Sequence, residues 1–572
     1  MKHIYSTDSV QSLIMKNLLL TAFLAVSNAV EVLNHDDRKL VLVTVATEDN
    51  DGLQRFVRSA KHFDMEPVIV GLGEKWVGGN LRYDPGGAQK VKLLQTALAK
   101  YKYEQNTVLL FTDAYDVIFQ GGRDEILKKF DQIGGRVVIS AEDLLWPDLT
   151  LESRFPETDG KRFLCSGGII GYAPEIVSMV LNRQDLKDDD DDQLYYTHIY
   201  LDENLRNKWS IKLDHYAVLF QNMNGATEEM QLAENHLENI KFKTRPPVLH
   251  GNGPAKLSVN WFSNYVPAQH VVDRTTKSEK SVTLALFFEY PTPFIFEFLE
   301  KTEKIIKNYG AQNCKIWIRN SQKHHAPIIN SFIERMGDFI DGIIVSDSII
   351  LAGSSKTQTP GDSRLEALKW HQEQKTDYIF MLDSFVQLND ETALSELVSV
   401  SENNSEIRVI APLVSQWGAA WSNFWGALSN DGWYARSQDY MNILNGDVDG
   451  VFNAPYITNA ILMEKSAVDE FLVKAWSPFS YGQLEFDMSF CFRLREHGIF
   501  MYILSKAANL EKDLLSPSEE NNHQVHFGRV LVLTNTKTDK KHPDLWEIID
   551  NPRDWEEKYS EVRMKCWYEI LV

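Results

Sequence analysis

The sequence predicts an α/β protein made of two tandem Rossmann-like units, the second a degenerate copy of the first. Three observations carry this. From Lys39 onward, short apolar runs of strand length alternate with stretches of helical spacing, the pattern of crossover-linked parallel strands. One run, within residues 107–119 (TVLLFTDAYDVIF), ends in two carboxylates three apart, Asp113 and Asp116. The same order of elements then begins again after residue 281.

The N-terminus reads as a leader. Met15-Lys16-Asn17 is a basic start, residues 18–26 are mostly apolar, and Ser27-Asn28-Ala29 is a small-x-small cleavage site. A secretory signal peptide cut after about Ala29 is expected, with residues 1–14 as an upstream extension. The apolar run is too short to span a bilayer. The protein is therefore expected in the secretory pathway, without a transmembrane anchor.

Residues 39–46 (KLVLVTVA) form the first expected strand, with Thr47 and Glu48 at its carboxyl end. A helix over 53–62 and a strand over 67–72 follow. Residues 73–80 are glycine-rich around Trp76 and read as a surface loop. Val91, Leu94, Leu98 and Tyr101 then recur at helical spacing. The run 108–111 has the composition of a fully buried central strand. A helix over 124–130 and a strand over 136–139 complete the alternation, and a parallel sheet is expected.

Asp113 and Asp116 would sit at the carboxyl end of that central strand, where open α/β sheets bind ligands. Carboxylate oxygens suit Mg²⁺ or Mn²⁺, which in turn hold a diphosphate. Tyr115 between them offers a ring to stack on a planar base. In isolation a solvated turn explains the pair equally well; the buried strand before it favours the chemistry. Residues 162–171 (RFLCSGGIIG) read either as a close backbone approach to a ligand or as a tight turn. The five aspartates 188–192 read first as a solvated helix N-terminus, and more sharply as acids facing the same cleft as Asp113. The stretch His250-Gly251-Asn252-Gly253-Pro254-Ala255-Lys256 follows the apolar Val248-Leu249. It offers a metal ligand, a loop for phosphate and a cation, although a lone histidine is more often structural or on the surface.

The first unit spans 38–268 on this reading, residues 269–281 are a polar linker, and the second unit spans 282–560. In the copy, strands are expected over 282–288, 315–318, 343–345, 377–386 and 408–414, and helices over 294–309, 363–374 and 391–398. Asp383 stands where Asp113 stood, but three residues later comes Val386, so the second carboxylate is missing. Trp417, Trp421 and Trp425 read as core and interface. Residues 561–572 form an atypical tail.

Composition narrows the function. The chain has 572 residues, about three units' worth at roughly 150 residues each. A net charge of −21 leaves no positive surplus for nucleic acid, while suiting either solubility or a basic polypeptide partner. Four cysteines exclude a disulfide-built scaffold and leave room for one or two bridges. Asn403-Asn404-Ser405 is a glycosylation sequon in a polar, loop-like stretch.

These stretches resemble the procollagen lysyl hydroxylase family. The matching residues are 44–47, 71–76, 86–91, the Asp113–Asp116 motif, Trp146-Pro147, the aspartate run, 250–256, and in the second unit 421–426, 453–456 and 542–546. The resemblance implies a glycosyltransferase-A type first domain, a similar non-catalytic second domain, and normally a third, an Fe(II)/2-oxoglutarate dioxygenase that also uses ascorbate. It implies that Asp113, Asp116 and His250 hold Mn²⁺, that Tyr115 stacks on uracil, and that Val45, Thr47 and Lys90 line the UDP pocket. Asn252, Gly253 and Lys256 would meet the diphosphate, and Trp76 would belong to a loop over the donor. Trp146, Asp191 and Asp192 would flank the sugar and acceptor. The implied activity is Mn²⁺-dependent transfer of glucose, galactose or both from a UDP-sugar to hydroxylysine-linked collagen in the endoplasmic reticulum lumen. The alternatives are an inactive nucleotide-sugar- or collagen-binding scaffold, and a lysyl hydroxylase. Homodimerisation is left open.

Two positions depart from the family. Cys165 stands where Asn is usual before Ser-Gly-Gly, and Leu145 where Cys tends to precede Trp-Pro. The dioxygenase needs a His-x-Asp…His triad. Of two His-x-Asp strings, His35-Asp36-Asp37 precedes the first strand, and His542-Pro543-Asp544 has no histidine after it. Lysyl hydroxylation is not expected from this chain.

Overall fold

A computed structural model describes residues 37–530, apart from 80–84, 234–235, 262–277, 291, 293–294, 323–324, 338, 341–342, 348–358, 416–420, 430–432 and 507–526. The leader, most of the linker, Trp417, Cys566, the tail and residues 542–544 lie outside the described residues.

The first unit runs β1 (Lys39–Val45), α1 (Asp51–His62), β2 (Val68–Val70), α2 (Ala88–Leu98), β3 (Thr107–Thr112), β4 (Val117–Phe119), α3 (Arg123–Ile133), β5 (Val137–Glu142), β6 (Phe163–Tyr172), α4 (Ala173–Val180), α5 (Asp192–Leu201), α6 (Glu203–Lys208), β7 (Ile211–Asp214), β8 (Phe220–Asn222), β9 (Met230–Ala233), β10 (His236–Asn239), β11 (Val248–His250) and α7 (Lys256–Trp261). Six strands form the main sheet in the order β2-β1-β3-β6-β5-β7. Side chains alternate between its faces. Val41, Val43, Val45, Leu109 and Phe111 pack under α2, α4 and α5, while Leu42, Val108 and Leu110 pack under α1 and α3. A small second sheet, β4-β11-β8, stands at the carboxyl edge of the first.

The parallel sheet expected from strand–helix alternation is corrected here to a mixed one. β1 pairs in parallel with β2 and β3, but β6 runs antiparallel between β3 and β5. The excursion from β5 to β6 carries only a 3-10 turn, Leu149–Arg154, and no crossover helix, so the chain returns in the opposite sense. Residues 162–171 are likewise no tight turn: β6 occupies Phe163–Tyr172 and is buried along nearly all its length.

The second unit repeats the plan. It opens with β12 (Val282–Phe288), α8 (Ile295–Tyr309), β13 (Cys314–Asn320), α9 (Ala326–Gly337), β14 (Ile343–Asp347), α10 (Pro360–Gln374), β15 (Tyr378–Asp383), β16 (Val386–Leu388), α11 (Ala393–Asn403) and β17 (Val409–Pro412). Its main sheet reads β14, β13, β12, β15, Ala460–Glu464, β17, Tyr502–Ser505 and Gly450–Asn453. As in the first unit, the central strand pairs in parallel with the first strand and antiparallel with the returning one. A satellite sheet of β16, Gly528–Val530 and Val414–Ser415 matches β4-β11-β8 in order and sense.

Trp421 packs against the core of the second unit, and Trp425 stacks on Tyr434 at 4.5 Å. Asn403 of the sequon closes α11 rather than lying in a loop. Cys165, Cys314 and Cys491 are buried free thiols, so no bridge forms among them. Among the described residues, no helix is long and apolar enough to cross a membrane.

Candidate active site

Asp113 follows β3 and Asp116 precedes β4, so the turn between them places both carboxylates at the carboxyl edge of the main sheet. β11 pairs with β4 and sets His250 opposite Val117, while the Gly251 amide donates to the Asp116 carbonyl at 2.8 Å. One ligand atom from each of Asp113, Asp116 and His250 lies within 4.8 Å of the others. His250 Nε2 stands 3.7 Å from Asp113 Oδ2 and 3.6 Å from Asp116 Oδ1.

The ring is held from behind. Asn222, beside His250 in the parallel pair β8–β11, presents Oδ1 to His250 Nδ1 at 2.9 Å. That contact assigns the proton to Nδ1 and leaves Nε2 for the carboxylates. Asn222 Nδ2 in turn donates to the Ala141 carbonyl at 2.9 Å. Gly167 of β6 makes room: a Cβ there would lie 2.1 Å from His250 Cε1. Two carboxylates and an imidazole with Nε2 facing them fit a divalent cation such as Mn²⁺.

Charge around the set is balanced by lysines. Lys256 Nζ lies 3.2 Å from Asp116 Oδ2, and Lys90 Nζ bridges Asp113 Oδ1 at 2.9 Å and Asp192 Oδ2 at 2.8 Å. Burial alone would raise the Asp116 pKa, but His250 and Lys256 hold it well below the usual carboxylate range. Burial would lower Lys90, and the two carboxylates outweigh it. Glu142, at the end of β5, is pushed up to about 7 by burial; it accepts from Gln193 Nε2 at 3.2 Å and Asn252 Nδ2 at 2.8 Å.

A cleft of about 500 Å³ opens here, within the size range of small-molecule sites. Of the residues singled out in the sequence, Asp113, Asp116, His250, Lys90, Trp146, Asp191, Asp192, Asn252, Gly253 and Lys256 line it. Trp146 stands half exposed at the mouth. Asp191 also caps α5, taking the Leu194 amide on Oδ1 and the Gly86 amide on Oδ2, so both readings of the aspartate run hold at once.

Val45, Thr47, Trp76 and Tyr115 lie outside those walls. Val45 is buried in β1, and the Tyr115 hydroxyl accepts the Thr47 and Glu48 amides at 3.0 and 2.9 Å. Trp76 donates Nε1 to the Gly79 carbonyl at 2.7 Å within its own loop. Asn222, Glu142 and Gln193 were missed in the sequence. Glu142 ends a readable strand, but nothing marked Asn222 or Gln193.

In the copy, Arg364 of α10 pairs with Asp383 and Glu289, as Lys90 of α2 pairs with Asp113. The corresponding cavity holds only about 30 Å³. With no carboxylate three residues after Asp383 and a guanidinium against Asp383 itself, the second unit keeps the architecture without the site.

Residues 36–276 match the PLOD GT domain, and residues 362–516 match the glycosyltransferase family 25 N-terminal domain. The chain is 39% identical to procollagen-lysine,2-oxoglutarate 5-dioxygenase 1 of Rattus norvegicus, over 95% of this chain and 74% of that protein. It is 37% identical to the multifunctional procollagen lysine hydroxylase and glycosyltransferase LH3 of Pongo abelii, over 91% of this chain and 69% of that protein. Among solved structures it is similar to a mannosyltransferase of Pyrobaculum calidifontis in complex with GDP-Man and Mn²⁺, at 11% identity, covering 40% of this chain and 54% of that one with a TM-score of 0.27. GalNAc-T7 with UDP, GalNAc and Mn²⁺ is similar at 12% identity, covering 39% of this chain and 42% of that one, also with a TM-score of 0.27. With two glycosyltransferase domains in tandem and relatives of this identity along nearly its whole length, the chain belongs to the procollagen-lysine 5-dioxygenase family.

Proposed function

We propose that the first unit is a Mn²⁺-dependent UDP-sugar transferase that glycosylates hydroxylysine-linked collagen in the endoplasmic reticulum lumen. Glucose, galactose or both are the transferred sugars. The observation that carries this is the convergence of Asp113, Asp116 and His250 in one cleft with Lys256 beside them. Bound there, the cation would act as a Lewis acid for the leaving diphosphate. Asn252, Gly253 and Lys256 present a loop and a cation to that diphosphate. Asp191, Asp192 and Trp146 face the part of the cleft left for sugar and acceptor, where fixed groups position the attacking hydroxyl. The relatives' names, which join lysine hydroxylation of procollagen with glycosyl transfer, supply the acceptor class.

The second reading is a binding scaffold without turnover. It is favoured by Cys165, whose Sγ lies 3.9 Å from His250 Nδ1 where the family usually carries Asn. The deciding experiment follows UDP release from UDP-glucose and UDP-galactose with Mn²⁺ and a galactosyl-hydroxylysine peptide. Acceptor-dependent release, lost in the Asp113→Ala/Asp116→Ala double variant, is expected. Mn²⁺-dependent UDP binding without release would select the scaffold.

A further inference from the structure

The degenerate second unit contacts the first at two helices that flank the metal-ligand set, α1 and α7. On one side stands α1. Arg58, buried on this helix, donates to Tyr502 OH at 3.0 Å and Asn453 Oδ1 at 3.5 Å, and its guanidinium lies 4.7 Å from the centre of the Phe500 ring. At the start of α1, Asp51 Oδ2 accepts from Arg495 Nε at 3.4 Å, and the same guanidinium holds the Pro455 carbonyl. Gly498 approaches so closely that a Cβ there would lie 2.6 Å from Gln54 Oε1.

The inner face of α1 leads to the carboxylates. Arg55 Nη2 donates to the Tyr115 carbonyl at 3.2 Å, and Tyr115 is the residue before Asp116. A Cβ on Gly52 would lie 2.5 Å from that same carbonyl oxygen. Farther along, Phe56 meets Phe119 edge to face at 5.3 Å, and Ser59 Oγ accepts the Phe119 amide at 3.1 Å, which ties α1 to β4. On the other side stands α7, which begins at Lys256 and packs on the strand Ala427–Leu428 of the second unit. Asp51, Arg55, Pro455 and Arg495 wall a crevice of only about 20 Å³ between the units, so α1 has little room to shift independently.

We propose that the second unit is a positioning element for the donor site. In this arrangement Arg495 and the Arg58 cluster fix α1, and Arg55 is the positioning residue that passes this to the Asp113–Asp116 turn, while the Ala427–Leu428 strand backs α7. Rigid support of this kind is what a catalytic constellation needs. It would also give a unit without a site of its own a reason to be retained. The inference rests on the transferase reading of the first unit.

The test uses the full chain with three readouts: Mn²⁺-dependent UDP binding, amide hydrogen exchange of residues 113–119 in the metal-free chain, and the donor KM against kcat. Arg495→Ala and Arg55→Ala are expected to weaken UDP binding about tenfold or more. They are also expected to speed exchange across 113–119 and to raise the donor KM while the acceptor KM stays put. Arg55→Lys, which keeps one donor for the Tyr115 carbonyl, is expected to recover part of the loss. Arg408→Ala, on an ion pair with Glu470 elsewhere in the second unit, is the control expected to match the parent. Should Arg495→Ala fail to fold, Asp51→Asn carries the same comparison from the partly exposed side of the pair. Variants that bind UDP and exchange like the parent overturn the coupling alone. A parent chain that binds no UDP with Mn²⁺ overturns the transferase reading and the coupling together.

Discussion

Asn222 touches no carboxylate of the candidate site, yet it decides which nitrogen of His250 faces them. Its Oδ1 holds Nδ1–H, so Nε2 is the nitrogen left to ligate a cation. Asn222→Ala is expected to lower Mn²⁺ affinity about 10–100-fold, the usual cost of losing such an orienting partner, with the fold intact. Titration of UDP binding against Mn²⁺ measures it, and unchanged affinity would remove Asn222 from the site. Residues of this kind explain what the sequence showed and hid. Asp113 and Asp116 stood out because they end a run with the composition of a buried strand, although a solvated turn explained the pair equally well. His250 was legible from the glycines and lysine after it. Asn222 was not, because its role exists only through the parallel register of β8 with β11, and a sequence does not print pairing partners. Gly167 was marked as small, but what it makes room for is the imidazole ring.

Elements depend on comparable ties. The buried Asp214 carboxylate, at the end of β7, accepts the amides of Val218, Leu219 and Phe220 at 2.9, 2.7 and 2.8 Å, and so joins β7 to the strand that carries Asn222. Burial raises its pKa, and those three amides oppose the rise. Asp214→Ala strands three donors, two of them buried, and is expected to cost about 3 kcal/mol, at roughly 1–3 kcal/mol for each orphaned buried group. A urea midpoint that does not move would show that the β7–β8 turn holds without the carboxylate. At this scale apolar period found most of the elements that open each unit, and their parallel sense, but neither the small strands that follow nor the sense of β6. β6 was not read as a strand at all, and only the missing crossover helix between β5 and β6 reveals that it runs backwards. The glycines within it suggested a turn or a close approach to a ligand; Gly167 lies at the cleft wall against His250, and Gly168 packs against Phe220.

Across the whole molecule, the repeated strand order was legible because each unit restarts the same alternation, and the loss of the second carboxylate at Val386 was visible in one comparison. The pairing of the two units was not legible, since Arg58 and Arg495 look like ordinary surface cations until their partners are known. Global stability carries its own acid sensitivity. His371 of α10 is fully buried, with Nδ1 on Thr376 Oγ1 at 2.7 Å, and burial pushes its pKa down to about 4. Above pH 6.5 the ring is neutral in both states and the stability is intact. As pH falls from there toward 4, the unfolded chain binds a proton that the folded chain refuses, so stability drops. Between pH 7 and pH 5 this group should remove about 2 kcal/mol. Urea unfolding of the parent and His371→Gln at both pH values checks it: the variant should lose less than the parent by about that amount, and equal slopes would refute the assignment.

The recurrence of one ion pair in both halves, Lys90 with Asp113 and Arg364 with Asp383, bears on how the halves diverged. Each half supplies its own counter-ion for the acid at the end of its central strand. A duplicated domain built this way can exchange its second carboxylate for Val386 without ever exposing the first to burial as a lone charge. Loss of the second acid then leaves the first still paired, and the central strand still folds.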